Sequence, residues 1–236
     1  MKIFSSDTRT VIINHDKAYK FFNSRSECED EVKRLKKSPI SDVYDEISNY
    51  KMKIVKILEV KEYFYSMDQV KGETLGFSQN DKNFYLAGRW LKCFHELSIN
   101  YDKKVFLFGD FIASHLFIDH ENKIISTIDP GSDFGASGEV ETDISRFIVN
   151  LFYMKNFNLR RLNKFINFFF EGYGARNVNF TKLDKFIKYR ILRNFNKTNK
   201  LKTGLKNHFF ALINLGIANF KYFFIKRKFN NLIKFK

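Results

Sequence analysis

Cysteine and proline are both scarce in this sequence, with two residues of each among 236. Cys28 and Cys93 are too few for a disulfide framework and do not have the spacing of a zinc site, so we expect two core thiols in a reducing compartment. The scarcity of proline argues against modules joined by Pro-rich linkers. The first ten residues, MKIFSSDTRT, lack the apolar run of a secretory signal peptide. We therefore expect a globular protein of the cytoplasm.

Acidic residues are almost missing from the last quarter of the chain. Up to Ala175 there are 25 basic and 25 acidic residues, whereas residues 176–236 hold 16 basic residues and one acid, Asp184. A general coding bias toward lysine would raise lysine everywhere, and so it does not explain this difference. The neutral part and the basic part are therefore best interpreted separately.

The hydrophobic pattern predicts strands first and helices last, with a small hairpin between them. Two β-prone runs flank the polar turn Asn14-His15-Asp16, and Cys28, Val32 and Leu35 are spaced as one buried helix face. The predicted strands are 9–15, 17–22, 53–60, 62–70, 116–118 and 124–128, and the predicted helices are about 26–37, 80–97, 144–155, 159–173, 181–195 and 205–228. The segment 105–108 is a short apolar run that precedes Gly109-Asp110. This order is typical of an α+β protein, here with two lobes.

The region 106–143 contains the residues with the clearest chemical meaning. The runs 116–118 and 124–128 are joined by a short polar turn, which predicts an antiparallel hairpin. His115 would then face the end of the second strand, and Asp110 and Asp129 would lie at the same open end. One such carboxylate can orient or deprotonate a hydroxyl while the other holds a magnesium ion. The alternative is two unrelated solvated turns.

These residues resemble a known pattern. Gly109-Asp110, four intervening residues, His115, a strand, a turn and Ile128-Asp129 are similar to the HGD-x-x-x-x-N … IDW/IDF pattern of aminoglycoside-phosphotransferase-like and protein-kinase-like phosphotransferases, a group that includes lipopolysaccharide-core kinases. The resemblance extends in order over residues 10–155. It includes the segments 19–22, 65–75, 91–95 and 141–144.

The resemblance implies a fold with a small antiparallel-sheet N-lobe, residues 1–70, and a mainly helical C-lobe, residues 71–236. It also implies ATP and Mg²⁺ as cofactors. The implied roles are a catalytic carboxylate at Asp110, metal binding at Asp129 and His115, and nucleotide binding at Lys20, Glu31, Met67 and Asp68. Lys20 and Glu31 would form an ion pair, and the hinge between the lobes would supply Met67 and Asp68. The alternative is that Lys20 is an ordinary exposed lysine and Glu31 an acid that stabilises the first turn of a helix. Glu27 is a rival to Glu31 as the partner of Lys20.

Four features depart from the pattern or imitate it. Phe108 replaces the His of HGD, and His115 replaces the Asn that helps to hold the metal. The segment 5–8 (SSDT) stands where a Gly-rich phosphate loop is usual. Asp133-Phe134-Gly135 lies beyond the strand end, so we do not expect it to bind metal. His95 is expected to have a structural role at a helix end.

The basic part, 176–236, interleaves Lys and Arg with many phenylalanines, including Phe209, Phe210, Phe229 and Phe235. It is a solvated face, a nucleic-acid-binding surface or an interfacial element on an anionic membrane. The stretch 209–225 is too short and too interrupted to span a bilayer, and it is apolar nearly all round. We expect 209–225 to be buried in the protein and the flanking charges to contact an anionic membrane. A nucleic-acid partner is not expected, because no known binding motif is present.

The function predicted from the sequence is ATP-dependent phosphorylation of a hydroxyl on a sugar or glycan. A lipid-linked glycan such as a lipopolysaccharide core, at the inner face of the cytoplasmic membrane, is the more specific hypothesis. The alternative is a pseudokinase that acts as a binding or scaffold module at an anionic membrane surface. Phe108 and His115 motivate this alternative.

Overall fold

A computed structural model describes residues 1–6, 9–38, 40, 42–99, 104–154, 158–201 and 205–234, with side chains described up to 196 and again over 212–227 in the last two segments. The strands are β1 (Lys2–Ser5), β2 (Arg9–Asn14), β3 (Lys17–Phe22), β4 (Asp42–Asp45), β5 (Tyr50–Ile54), β6 (Ile57–Val60), β7 (Phe64–Asp68), β8 (Glu73–Thr74), β9 (Val105–Phe106), β10 (Leu116–Asp119), β11 (Ile124–Thr127) and β12 (Ser137–Gly138). The helices are α1 (Arg25–Leu35), α2 (Asp81–Leu97), α3 (Val140–Tyr153), α4 (Leu159–Tyr173), α5 (Phe180–Leu201) and α6 (Leu205–Lys234).

The N-terminal sheet is antiparallel, in the order β1-β2-β3-β7-β6. The predicted hairpin is confirmed, with Asn14 paired to Lys17 at the turn. Helix α1 follows it and is capped by Ser24, whose side chain accepts a hydrogen bond from the Glu27 backbone N–H. Its predicted apolar face, Cys28, Val32 and Leu35, is buried. The sequence places Pro39, which cannot continue a helix, just beyond the predicted helix 26–37, and Pro39 lies outside the described residues.

The predicted single strand 53–60 is wrong, because two sheets share this segment. Its first residues belong to β5, which pairs antiparallel with β4 and parallel with β11. Its last residues form β6, which pairs with β7. The chain changes sheets at Val55, whose N–H donates to the carbonyl of Thr127 at 3.1 Å. A continuous β-prone run does not reveal where a chain leaves one sheet for another.

The second sheet, in the order β4-β5-β11-β10-β8, contains the predicted hairpin. β10 and β11 pair antiparallel from Leu116 with Thr127 to Asp119 with Ile124. The hairpin is thus held on one side by a strand from the N-terminal part of the chain and on the other by β8. This pairing fixes the open end of the hairpin relative to β3 and α1.

Apart from the short pair of β9 with β12, the remaining elements are mainly helical, which confirms the α+β class with a sheet-rich N-terminal part and a helical C-terminal part. Helix α3 begins earlier than predicted, at Val140, because Glu141 and Asp143 lie in its first turn, where the helix dipole favours acids. Helices α5 and α6 extend beyond their predicted ends. A boundary between the lobes at residue 70 stays a prediction.

Helix α6 corrects the expected burial of 209–225. Within 212–227, where side chains are described, the apolar residues that are fully buried are Ala218, Tyr222 and Ile225, spaced along one face. Exposed apolar side chains cover the other faces: Leu212, Ile213, Ile217, Phe220, Phe223 and Phe224. The side chains of Phe209, Phe210, Phe229 and Phe235 lie outside the described residues. Among the described residues no helix is apolar over a length that would cross a membrane.

Helices α2 and α4 pack closely because each presents a glycine to the other. A Cβ atom on Gly88 would lie 2.1 Å from the carbonyl oxygen of Phe169, and one on Gly172 would lie 2.1 Å from that of Tyr85. Phe84 and Phe165 stack beside this contact with ring centroids 3.8 Å apart. The backbones therefore approach at a distance that no larger residue permits.

We expect Gly88→Ala to lower the free energy of unfolding by about 3 kcal/mol, because the new methyl group would force the two helices apart. Denaturant unfolding would measure this loss. Gly216→Ala is the matched control, since no heavy atom lies within 4 Å of its Cβ position in α6. There the better helix propensity of alanine should raise stability by up to about 1 kcal/mol. Equal stability of the two variants would contradict the close approach.

Candidate active site

Lys20 lies at the centre of a buried charge cluster. The alternation along β3 turns Ala18, Lys20 and Phe22 inward. The Lys20 ammonium donates to Glu31 Oε1 at 2.7 Å and also to a carboxylate oxygen of Asp129. Both Lys20 and Glu31 are about 1% exposed, so the exposed-lysine alternative is wrong. The structure therefore brings together three predicted residues that are far apart in sequence.

Glu31 has two further partners. The Tyr65 hydroxyl donates to Oε1 at 2.7 Å, and Arg9 Nη1 lies 3.3 Å from Oε2. Burial, together with the neighbouring Glu31 charge, raises the pKa of Tyr65 well above its ordinary value. The cluster thus balances two cations with two carboxylates, which is what burial of charge requires. Glu27, the rival partner, is exposed at the start of α1.

Asp129 follows directly after β11 and Ile128, with φ of 51°. This left-handed backbone is unusual outside glycine, and such strain concentrates at functional sites. Burial would raise the pKa of Asp129, but the charge and hydrogen bond of Lys20, with smaller effects of His115 and Arg9, lower it below its ordinary value. The Asp129 carboxylate is therefore ionised at neutral pH. Its side chain is 31% exposed.

These residues suit magnesium only in part. Proteins commonly hold Mg²⁺ with one or two carboxylates together with substrate phosphates, so Asp129 fits. Within the described parts of the chain, no three His, Cys, Asp or Glu side chains are grouped to form a metal site by themselves. The imidazole of His115 is a softer ligand than this ion prefers, and metal binding by His115 stays a prediction.

Asp110 and His115 lie together at the open end of the hairpin, as predicted. His115 Nδ1 lies 3.2 Å from the Asp110 carbonyl oxygen and 3.7 Å from Asp110 Oδ2. Because a carbonyl only accepts, the Nδ1 atom carries the proton in this hydrogen bond. Arg146 Nη1 contacts Asp110 Oδ1 at 3.2 Å. The Asp110 carboxylate is thus held between two cationic or proton-donating groups while 38% exposed.

Asp143 organises the loop that carries Asp110, a role that sequence reasoning missed. Its carboxylate accepts from the backbone N–H of Phe108 at 2.7 Å and of Gly109 at 2.9 Å. It also contacts Nε2 of His95 at 3.2 Å, and the other ring nitrogen of His95 bonds the Tyr173 hydroxyl. The structural role expected for His95 is confirmed. The sequence signal was the acidic segment 141–144, which identified a turn but not its partners.

Phe108 belongs to the core rather than to the reactive surface. Its ring is fully buried and makes edge contacts with Trp90, Phe94, Phe111 and Phe134. The adjoining Gly109 has φ of +83°, and a Cβ on Gly131 would lie 2.6 Å from the Gly109 carbonyl carbon. Phe108 stands where the HGD pattern has His, and its ring packs in an aromatic core behind the loop.

Asp133, Met67 and Asp68 are not among the described residues that contact Lys20, Glu31 or Asp129 through hydrogen bonds or ion pairs. Asp133 is half exposed and lies 3.7 Å from Arg146, with Phe134 in the core. Met67 is buried inside the sheet opposite Ala18, and Asp68 ends β7 opposite Lys17. Contact of this hinge with a nucleotide stays a prediction. Of the segment 5–8, Asp7 and Thr8 lie outside the described residues.

A cavity of about 490 Å³ opens beside Asp110. One face of α3 lines it with Arg146, Val149, Asn150 and Tyr153, and residues of α5 and α6 complete the wall. Asp110 therefore lines a space that is large enough for a small molecule.

The fold is similar to that of solved small-molecule kinases. Amicoumacin kinase, in complex with AMP-PNP and Ca²⁺, is 11% identical with a TM-score of 0.61, over 92% of this chain and 87% of that chain. An aminoglycoside phosphotransferase in complex with GDP and kanamycin is 12% identical with a TM-score of 0.61, over 92% and 91%. Ethanolamine kinase of Plasmodium vivax is 11% identical with a TM-score of 0.58, over 92% and 80%.

The sequence matches no protein-family model and no curated protein. The likeness in structure nevertheless covers almost the whole chain. The chain therefore has the two-lobed kinase-like fold of the aminoglycoside phosphotransferases.

We expect Asp143→Ala to lower the free energy of unfolding by roughly 2 to 4 kcal/mol, because two buried backbone N–H groups would lose their acceptor. Urea unfolding followed by fluorescence would measure the loss. Asp133→Ala removes a half-exposed carboxylate from the same region and should change stability by no more than about 0.5 kcal/mol. If Asp143→Ala were as stable as the parent, Asp143 would not hold the loop.

Proposed function

We propose that this protein is an ATP-dependent phosphotransferase whose acceptor is a hydroxyl of a sugar or glycan. The observation that carries the proposal is the buried contact of Lys20 with both Glu31 and Asp129. In kinases a lysine positions the nucleotide phosphates, and a carboxylate holds the magnesium that neutralises their charge. The similar folds of kinases support the same conclusion.

Asp110 is the residue proposed to act on the acceptor. Its carboxylate accepts the proton of the acceptor hydroxyl as the hydroxyl oxygen bonds to the γ-phosphorus and the bond to the ADP oxygen breaks. Arg146 Nη1 contacts one oxygen of that carboxylate at 3.2 Å, and His115 Nδ1 lies 3.7 Å from the other oxygen.

Lys20 and Asp129 are proposed to serve the nucleotide side. Magnesium, held by Asp129 and the substrate phosphates, would supply charge neutralisation for a loose transition state. Lys20 has three N–H donors and uses two on carboxylates, which leaves one for a phosphate oxygen. Glu31 fixes the position of Lys20, and Tyr65 and Arg9 fix Glu31.

The second candidate is a scaffold that has kept the fold and lost the chemistry. Phe108 and His115 favour it, because both replace residues of the resembling pattern. Phe108 is a weaker argument for a scaffold, because its ring lies in the core and Asp143 holds the loop through the backbone N–H groups of Phe108 and Gly109. His115 is the remaining argument for this candidate.

We expect Asp110→Asn to bind Mg-ATP like the parent and to lower kcat by about a hundredfold or more, the usual contribution of a positioned base. Asp129→Asn should instead weaken Mg-ATP binding, which a thermal shift would detect as a smaller rise in Tm. Asp133→Asn is the control and should change neither. ATP turnover with and without a sugar acceptor gives the rates. A parent protein that shows no Mg-ATP shift would favour the scaffold.

The more specific proposal is a lipid-linked glycan such as a lipopolysaccharide core, modified at an anionic membrane. Helix α6 supports it, because Phe220, Phe223 and Phe224 are exposed together on its surface. Arg227 lies over the ring of Phe223 at 5.0 Å. Basic groups beside exposed aromatic rings suit the headgroup region of a membrane.

We expect the protein to bind phosphatidylglycerol vesicles but not phosphatidylcholine vesicles, and to be released above about 0.5 M salt, because salt screens the attraction. Vesicle flotation is the measurement. Phe220→Asp with Phe224→Asp should abolish binding, whereas Phe77→Asp, at a phenylalanine that is 71% exposed elsewhere, should not. Equal binding to both lipids, or full binding by the double variant, would contradict this role of α6. Binding to RNA but not to vesicles would favour a nucleic-acid partner.

A further inference from the structure

We propose that the cavity beside Asp110 is an acceptor site for an anionic sugar, one that carries a phosphate or carboxylate group in addition to the hydroxyl that is phosphorylated. This inference rests on the proposed function for the identity of Asp110 as the catalytic residue. The charge of the cavity wall is an independent observation.

Three guanidinium groups line this cavity: Arg146 on α3, and Arg190 and Arg193 on α5. Among the lining residues that the structure describes, Asp110 is the one carboxylate. Arg146 is already committed to Asp110 and Asp133. The wall therefore carries more positive than negative charge, and the excess comes from α5.

Arg190 is positioned by neutral groups. Its Nε donates to the Ser145 hydroxyl at 2.8 Å, and its Nη2 donates to the Thr142 carbonyl at 2.9 Å. In the described part of the chain neither Arg190 nor Arg193 forms an ion pair with a carboxylate. A guanidinium group held by neutral acceptors keeps its full charge toward the cavity, in the way that binding sites for phosphate and carboxylate use arginine.

The environment of Arg190 disfavours its own charge. Burial, and then the charge of Arg146, lower the pKa of Arg190 to about 10. The guanidinium remains ionised at neutral pH, yet its charge is poorly compensated. An anionic group in the cavity would restore the balance that the protein itself does not provide.

The other lining residues suit a sugar ring. Ile112, Val149 and Leu215 provide apolar surface, and Asn150, Tyr153 and Asn214 provide hydrogen-bonding groups. Polyamines such as the aminoglycosides would place ammonium groups against the three guanidinium groups. We therefore expect this site to discriminate against an acceptor of that charge, even though the fold is that of enzymes that bind such compounds.

The test is calorimetric titration of the full chain, saturated with Mg-AMP-PNP, with four probes: glucose 6-phosphate, glucuronate, glucose and kanamycin. Prior saturation keeps the anions away from Lys20. We expect at least one anionic probe to bind in the millimolar range or tighter, and glucose and kanamycin to bind at least about tenfold more weakly. Binding of the phosphate but not the carboxylate would identify a phosphorylated acceptor, and the reverse would identify a sugar acid.

Arginine variants assign the binding to this cavity. Arg193→Gln changes an exposed residue and should weaken the anionic probe by about ten- to a hundredfold, the scale of one charge-assisted hydrogen bond. Arg190→Gln should weaken binding to the same extent. If Arg190→Gln does not fold, Arg193→Gln alone still tests the inference. Arg161→Gln, at an exposed arginine on α4, should leave the affinity unchanged.

The inference would be overturned if kanamycin or glucose bound as tightly as the anions, or if neither anion bound in the millimolar range. Unchanged affinity in Arg193→Gln and Arg190→Gln would also overturn it. Mg-AMP-PNP binding, measured separately by thermal shift, reports on the proposed function. If the nucleotide does not bind while the anion does, the anionic site stands and the kinase assignment fails.

Discussion

The rest of the candidate site depends on the burial of one ammonium group between two carboxylates. Lys20 comes from β3, Glu31 from α1 and Asp129 from the end of β11, so a single contact joins both sheets and a helix. A buried charge is tolerated only when it is paired, and removing one partner leaves the others uncompensated. The fold must therefore bring these three elements together for any of the charges to be buried.

A second carboxylate performs the corresponding task for the backbone. Asp143 accepts from two consecutive N–H groups of the loop before Asp110, and the close approach of Gly109 and Gly131 leaves that loop little freedom. The aromatic cluster around Phe108 supports the loop from below. Asp110 is consequently presented from a rigid frame, which is what positioning of a reactive group requires.

The two proposals assign different partners to two surfaces of the basic helices. On the inner side, Arg190 and Arg193 of α5 face the cavity beside Asp110. On the outer side, α6 exposes phenylalanines next to basic residues. Asp184 joins the two helices through its contact with Tyr222 and lies 2.9 Å from Lys188. An enzyme that takes an anionic glycan from an anionic surface would use both sides together.

The sequence by itself determined the α+β class and the β10–β11 hairpin with Asp110 and Asp129 at its open end. Those features follow from local periodicity and turn chemistry, which act over short separations. The pairing of Lys20 with Glu31 was implied only by the family resemblance, with Glu27 as a rival, and the tertiary structure decided it. Only the tertiary structure decided that 53–60 is divided between two sheets, that Asp143 holds the loop before Asp110, and that one face of α6 is buried and the others exposed over 212–227. Each of these features depends on which distant segment of the chain packs against the residues concerned. The local pattern of residues does not identify that segment.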